Sequence, residues 1–142
     1  MDKIRSKLGA KHSPQVFSFA KMGASYLPKH APDNFIPTVF TGWDTTPRHG
    51  SHGMILNGLS RQSFDQHLHV CAPHLLRDAA SQRLLFVKSW NEWAEGNLLE
   101  PDCVFGTELL ETFAEFSAEI RGRLQIQSSA SADQPLPGRS KS

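Results

Sequence analysis

The sequence predicts an α/β fold with parallel strands, and three observations carry that prediction. Short apolar runs alternate with stretches of helical periodicity, in the order strand, helix, strand, helix. Two of those runs end in tryptophan and acid instead of an ordinary turn cluster. Functional residues at the carboxyl ends of parallel strands suit a closed barrel and an open α/β sheet equally well.

Residues 1–14 are polar and basic, a loose lead-in. Val16 to Phe19 reads as a strand end, and Phe19 to Tyr26 as one or two amphipathic helical turns halted near Pro28 and Pro32. Phe35 to Phe40 reads as a strand with Pro37 near its start, where a missing N–H donor is tolerated. His49 to Gly58 is rich in glycine and histidine and reads as a loop. Ser63 is expected to open a helix with the stripe Phe64, Leu68, Cys71 or Ala72, and Leu75 or Leu76. Pro73 should kink or restart that helix. The run Leu84 to Lys88 is the length and residue type of a buried strand. Thr107 is a reasonable N-cap for a helix to about Leu124, with Glu108 and Glu111 in its first turn and Arg121 and Arg123 near its end, as the helix dipole favours. Its stripe of Leu109, Leu110, Phe113, Phe116, Ile120 and Leu124 would cover a sheet. From Gln125 to residue 142 the sequence is a low-complexity polar tail, expected to be disordered.

Composition narrows the function classes. The 142 residues carry a net charge of +1, with 39% apolar and 20% charged residues, an ordinary globular composition with no electrostatic case for nucleic acid. No apolar run approaches the roughly 18 residues that a membrane span requires. The basic amino terminus has no apolar core of a secretory signal, and the two cysteines, Cys71 and Cys103, lack a CxxC spacing. Reduced thiols and a cytoplasmic location are therefore expected. His49 and His52, and His67, His69 and His74 beyond them, are not joined by a cysteine or carboxylate that would complete a tetrahedral set, so no metal and no cofactor is expected.

The chemistry concentrates in Ser89-Trp90-Asn91-Glu92-Trp93-Ala94-Glu95-Gly96. Loops seldom spend two tryptophans, and cores do not accept two unpaired carboxylates. Rings that cover the apolar faces of a sugar, beside acids that handle protons and hydroxyls, are what a carbohydrate site needs. Glu92 and Glu95 are three apart, so both can face one cleft from a loop or single helical turn. Glycoside chemistry uses two carboxyl groups, one protonating the leaving oxygen and the other acting as nucleophile or base. The bland alternative is that either glutamate caps a helix or pairs with Lys88 or an arginine. Upstream, Trp43 and Asp44 also follow an apolar strand, which suggests one shared catalytic face. Asp44 and Arg48 either bind a sugar hydroxyl or an anionic group, or pair with each other across the turn. Trp43, Trp90 and Trp93 are stacking platforms or core residues, and Asn91 is a hydroxyl binder or a loop tie. Glu100 reads as a solvated loop acid or as a support behind the residues that meet the sugar.

The stretch SWNEWAEGNLLEPD resembles the carboxyl-terminal signature of the WbsX-like glycosyltransferase family, also described as a glycoside hydrolase family 99-like domain. Thr41-Gly42-Trp43-Asp44-Thr45-Thr46-Pro47-Arg48 resembles that family's Gly-Trp-Asp-x-Thr-Pro-Arg segment, and Val16-Phe17-Ser18-Phe19 its aromatic-rich strand end. The resemblance covers roughly residues 15–122, within an expected barrel portion of 15–124. It implies the carboxyl-terminal βα units of a TIM (β/α)8 barrel, with catalysis by Glu92 and Glu95. Glu95 would be the acid/base on the glycosidic oxygen and Glu92 the base on the sugar's own 2-hydroxyl. Ala94 departs from the histidine usual in the hydrolases, and Thr45 and His49 depart from the asparagine and second arginine common in relatives. A complete barrel takes about 200 residues or more, so 142 residues supply a partial barrel. The expected function is carbohydrate-active, glycoside hydrolase-like or glycosyl-transferring, in lipopolysaccharide O-antigen or other surface-polysaccharide biosynthesis. The alternative is a non-catalytic fragment that binds sugar or completes a partner polypeptide. Open strand edges call for such a partner or for self-association.

Overall fold

A strand that turns straight into a helix sets the pattern of the molecule. In the computed structural model, which describes residues 12–77 and 83–132, β1 (Gln15–Ser18) passes without a loop into α1 (Phe19–Ser25). The Ser18 hydroxyl caps α1 by accepting from the Lys21 N–H at 3.4 Å. The expected lead-in lies outside the described residues up to residue 11.

β2 (Thr38–Phe40) is parallel to β5 (Phe86–Lys88), in register Thr38–Phe86, Val39–Val87 and Phe40–Lys88. Pro37 precedes the ladder and contributes only its carbonyl, which accepts from the Phe86 N–H at 3.0 Å. That is the use proline allows. β3 (Trp43–Asp44) follows at once, and Pro47 then starts the short helix α2 (Thr46–His49).

Here the structure corrects the sequence reading. The glycine- and histidine-rich stretch is not all loop: a 3-10 turn over Gly50–His52 leads into β4 (Met54–Asn57). β4 is the middle strand of a three-stranded sheet, parallel to β1 and antiparallel to β3. Its apolar run is only Met54-Ile55-Leu56, too short to stand out beside the flanking Gly and His.

α3 spans Arg61–Leu76, earlier than expected, because Ser60 and not Ser63 is the cap. The two serines form a capping box in which each side chain accepts from the other's backbone N–H, at 3.2 and 2.9 Å. Pro73 does not restart α3, which runs as one helix to Leu76. The stripe is as read, with Phe64, Leu68, Cys71, Ala72, Leu75 and Leu76 all buried. At its end the Arg77 guanidinium donates to the carbonyls of Ala31, Pro32, Asp33 and Phe35 and fixes the segment leading into β2.

β6 (Asn91–Glu92) and β7 (Asn97–Leu98) form a small hairpin, and α4 runs over Glu108–Ala132. α4 continues past Leu124, so the stretch expected to be disordered is helical as far as Ala132, and the rest of that tail lies outside the described residues. Thr107 precedes the helix, and its hydroxyl donates to the Glu111 carboxylate at 2.6 Å. Buried Leu109, Phe116 and Ile120 join a single core with the α3 stripe, Phe19, Val39, Phe40 and Leu56. The principal partner of α4 is thus a helix, α3, rather than the sheet its stripe was expected to cover. α3 lies between α1 and α4.

The fold class is mixed α/β, with four helices among the described residues. The strands form three small sheets, β1–β4–β3, β2–β5 and β6–β7, and no closed barrel among the described residues. Both pairs of parallel strands have open edges among the described residues. No helix among the described residues is long and apolar enough to cross a membrane.

Candidate functional site at the strand ends

Two loops meet where β2 and β5 end. Because Phe40 is in register with Lys88, the residues that follow each strand emerge side by side, and the Thr41 N–H still donates to the Lys88 carbonyl at 3.2 Å. Beyond β2 the chain turns at Gly42, whose φ of +124° is open to glycine and strained for other residues. A Cβ on Gly42 would lie 2.9 Å from the carbonyl oxygen of Gly96. The turn before Trp43 and the loop carrying Glu95 are therefore packed backbone against backbone.

The second loop is held from inside. The Ser89 hydroxyl donates to the Asn97 carbonyl at 2.8 Å and accepts from the Glu92 N–H at 3.0 Å. Buried Asn97 donates its side-chain amide to the Glu95 carbonyl at 3.0 Å. The Leu99 and Glu100 N–H groups both reach the Trp90 carbonyl at 3.0 Å. A 3-10 turn over Trp93–Glu95 ends at Gly96 in the left-handed region, φ +63°, which closes the hairpin.

Side chains from both loops then converge on the glutamates. The Arg48 guanidinium spans the pair, 3.6 Å from Glu92 Oε1 and 3.6 Å from Glu95 Oε1. The Trp43 indole N–H donates to Glu95 Oε2 at 3.0 Å, and Lys88 Nζ stands 3.6 Å from that same oxygen. Lys88 also lies over the Trp43 ring, 4.4 Å from its centre. The Glu95 side chain is only 12% exposed, against 38% for Glu92. The partly exposed pair of Arg48 with Glu92 contributes about 0–1 kcal/mol, so what it supplies is geometry more than stability.

The other sequence candidates fall in different places. Asp44 does not pair with Arg48; its Oδ1 accepts from the Thr46 N–H at 2.8 Å and the Thr46 hydroxyl at 2.6 Å, and so fixes the start of α2. Trp43 is half-buried against the core, whereas Trp90 and Trp93 are 50% and 61% exposed. The Trp93 indole donates to Glu100 Oε1 at 2.7 Å, so Glu100 is tied to the loop instead of lying free in solvent. Asn91 is exposed on the β6 strand opposite Leu98. The alternative that the glutamates pair with Lys88 or an arginine is met in the structure, since Glu95 pairs with both Lys88 and Arg48 and Glu92 with Arg48. Nothing in the sequence marks Ser89 or Asn97 as part of the site.

Among the described residues, no three His, Cys, Asp or Glu side chains converge as a metal site would require. His67 is buried between α1 and β2 while His69 is exposed and contacts Asp65 and Glu119. Both cysteines are free thiols, and burial pushes the Cys71 thiol up to about 12.

Comparison with known proteins gives the family. A family model described as glycosyltransferase WbsX matches residues 2–113, most of the chain and all of the site. The chain belongs to the WbsX glycosyltransferase family. WbsX membership points to a carbohydrate-related function. Two curated relatives, each described as an uncharacterized protein WxcX from a strain of Xanthomonas campestris pv. campestris, are 40% identical over 76 residues. The match covers 53% of this chain and only 11% of those relatives. No solved structure matches the chain.

Proposed function

We propose that this WbsX-family chain carries a paired-glutamate carbohydrate site, glycoside hydrolase-like or glycosyl-transferring, that serves surface-polysaccharide biosynthesis. One observation carries the reading: Arg48 and Trp43 from the loop after β2 reach the two acids of the loop after β5. Isolated surface carboxylates would not draw partners from both sequence motifs. Exposed Trp90 and Trp93 beside them offer the ring faces that sugars stack on. Glu95 is the group that gives its proton to the glycosidic oxygen as the bond from that oxygen to the anomeric carbon breaks. Glu92 takes the proton of the sugar's 2-hydroxyl, whose oxygen closes on the anomeric carbon. Water or an acceptor hydroxyl then opens that ring, returning one proton to Glu95 while the 2-oxygen recovers its proton from Glu92. Arg48 must release the pair as the sugar enters.

The described residues read best as neighbouring βα units of a partial (β/α)8 barrel. Supporting this are the parallel pairs β1–β4 and β2–β5, the sequential packing of α1, α3 and α4, and the acids at strand carboxyl ends. A second reading, a piece that binds sugar or completes a partner polypeptide, is favoured by β1, on which every residue is exposed, including Val16 at 61%. Fluoride release from a panel of glycosyl fluorides tests the first reading. Turnover by the intact chain should fall by a factor on the order of 10²–10⁴ in Glu92→Gln and in Glu95→Gln. Near-full turnover in either variant would remove that residue from the chemistry.

A further inference from the structure

Glu95 has two oxygens in different company. Oε2 takes both the Trp43 indole N–H at 3.0 Å and the Lys88 ammonium at 3.6 Å, while Oε1 faces Arg48 alone among the described residues. The first set is built into the strand ends: Lys88 is the last residue of β5, Trp43 lies just past β2, and the two side chains stack on each other at 4.4 Å. Arg48 is different, with 53% of its side chain exposed and an equal reach to Glu92 Oε1. Hence Oε2 is held by packed, mutually supporting donors, and both Oε1 atoms look toward one removable guanidinium.

We propose that Lys88 is a positioning residue for the paired-glutamate site. Stacked on Trp43 and paired with Oε2, it turns the Glu95 carboxyl so that Oε1, together with Oε1 of Glu92, is the oxygen presented to the sugar. Trp43 alone cannot do this. One hydrogen bond leaves the carboxyl free to rotate about it, and the ammonium on the same oxygen removes that freedom. Lys88 is not needed for the fold in the same way, since without it Glu95 still keeps the Trp43 indole and the Arg48 guanidinium as partners. The Lys88 backbone, which does bear on the fold through its ladder with Phe40, is unchanged by side-chain substitution.

This rests on the paired-glutamate reading, and two readouts separate their fates. The first uses the full chain with ¹⁵N-labelled tryptophan, the Trp43 indole signal assigned by its loss in Trp43→Phe. In Lys88→Met that N–H resonance should move upfield and exchange faster with solvent, with the urea unfolding midpoint unchanged, and Lys88→Arg should restore it. The second is glycosyl fluoride turnover, in which Lys88→Met should lower kcat on the order of a hundredfold at constant KM, the effect of displacing a reacting group by about 1 Å. Lys88→Arg should again recover most of it. An unmoved indole resonance, or an unchanged kcat in a chain that turns over fluorides, overturns the proposal. A chain that releases no fluoride while the indole shift appears as expected overturns the paired-glutamate reading and leaves the geometric role of Lys88 standing.

Discussion

At the scale of single residues, the site depends on small side chains as much as on charged ones. Gly42 makes the close contact that joins the two sequence motifs: its φ is +124° and its would-be Cβ lies 2.9 Å from the Gly96 carbonyl. Strain of that kind costs on the order of 1–3 kcal/mol, and the clash is with backbone, which cannot rotate away. Gly42→Ala should therefore lower stability by about that amount and push the Glu95 loop off Trp43. The check is urea unfolding combined with the fluorescence of Trp43; an unaltered midpoint and emission would show that the loops are not in contact. None of this could be read from the sequence, where Gly42 and Gly96 are ordinary loop glycines 54 positions apart. That Glu92 and Glu95 face one another's partners was legible, because two acids three residues apart can share one side of a short turn. The fate of Asp44 was not, because a short acid can satisfy a backbone N–H two residues on as readily as a ligand.

At the scale of elements, one histidine ties three of them together. His67 of α3 accepts the Phe40 N–H on Nε2 at 3.2 Å, so its proton sits on Nδ1, which donates to the Gly23 carbonyl of α1 at 3.2 Å. It also packs against the rings of Phe19, Tyr26 and Phe40. Burial lowers its pKa below the ordinary value near 6.5, partly opposed by the bond to Gly23. A second proton would land on Nε2 and break the tie to β2. The unfolded chain takes up that proton first as pH falls, so stability is flat above about 6.5 and is lost below it, by up to about 1.4 kcal/mol per pH unit. His69 works the other way, raised by its bond to the Asp65 carbonyl and by Glu119, but it is exposed and its effect is screened. Stability measured from pH 7.5 to 5 should fall more steeply in the natural chain than in His67→Gln. Equal slopes would place the acid sensitivity elsewhere. The amphipathic helices were legible for the reason periodicity is informative: long stripes such as Phe64 to Leu76 average out single residues. β4 was not, since three apolar residues carry too little pattern, and the Ser60 cap was masked by Ser63, its partner in the same box.

At the scale of the whole molecule, apolar strand surface is left uncovered. Val16 and Phe17 of β1 and Phe86 of β5 are exposed, and among the described residues β1 pairs on one edge only. Exposed parallel edges of this kind recruit further strands. Urea unfolding followed by circular dichroism should therefore show a midpoint that rises with protein concentration, as burial of such surface between chains requires. A midpoint independent of concentration would mean that the described sheets are sufficient alone. The alternation of strand and helix gave the α/β class from sequence, but strand partners are chosen by long-range packing, which no local run of residues encodes. That is why parallel pairing could be expected while its order, β1 with β4 and β2 with β5, could not. The central claim is that Glu95, held by Trp43, Lys88 and Arg48, is a working carboxyl and not a structural ion-pair partner. Chemical rescue addresses this most directly: Glu95→Ala leaves a gap the size of a small carboxylic acid beside three donors. Added formate should restore fluoride release from glycosyl fluorides in Glu95→Ala, in a saturable manner, and do nothing for the natural chain. Glu95→Ala that turns over as well as the natural chain, or that stays inactive at every formate concentration while folded, would contradict that role.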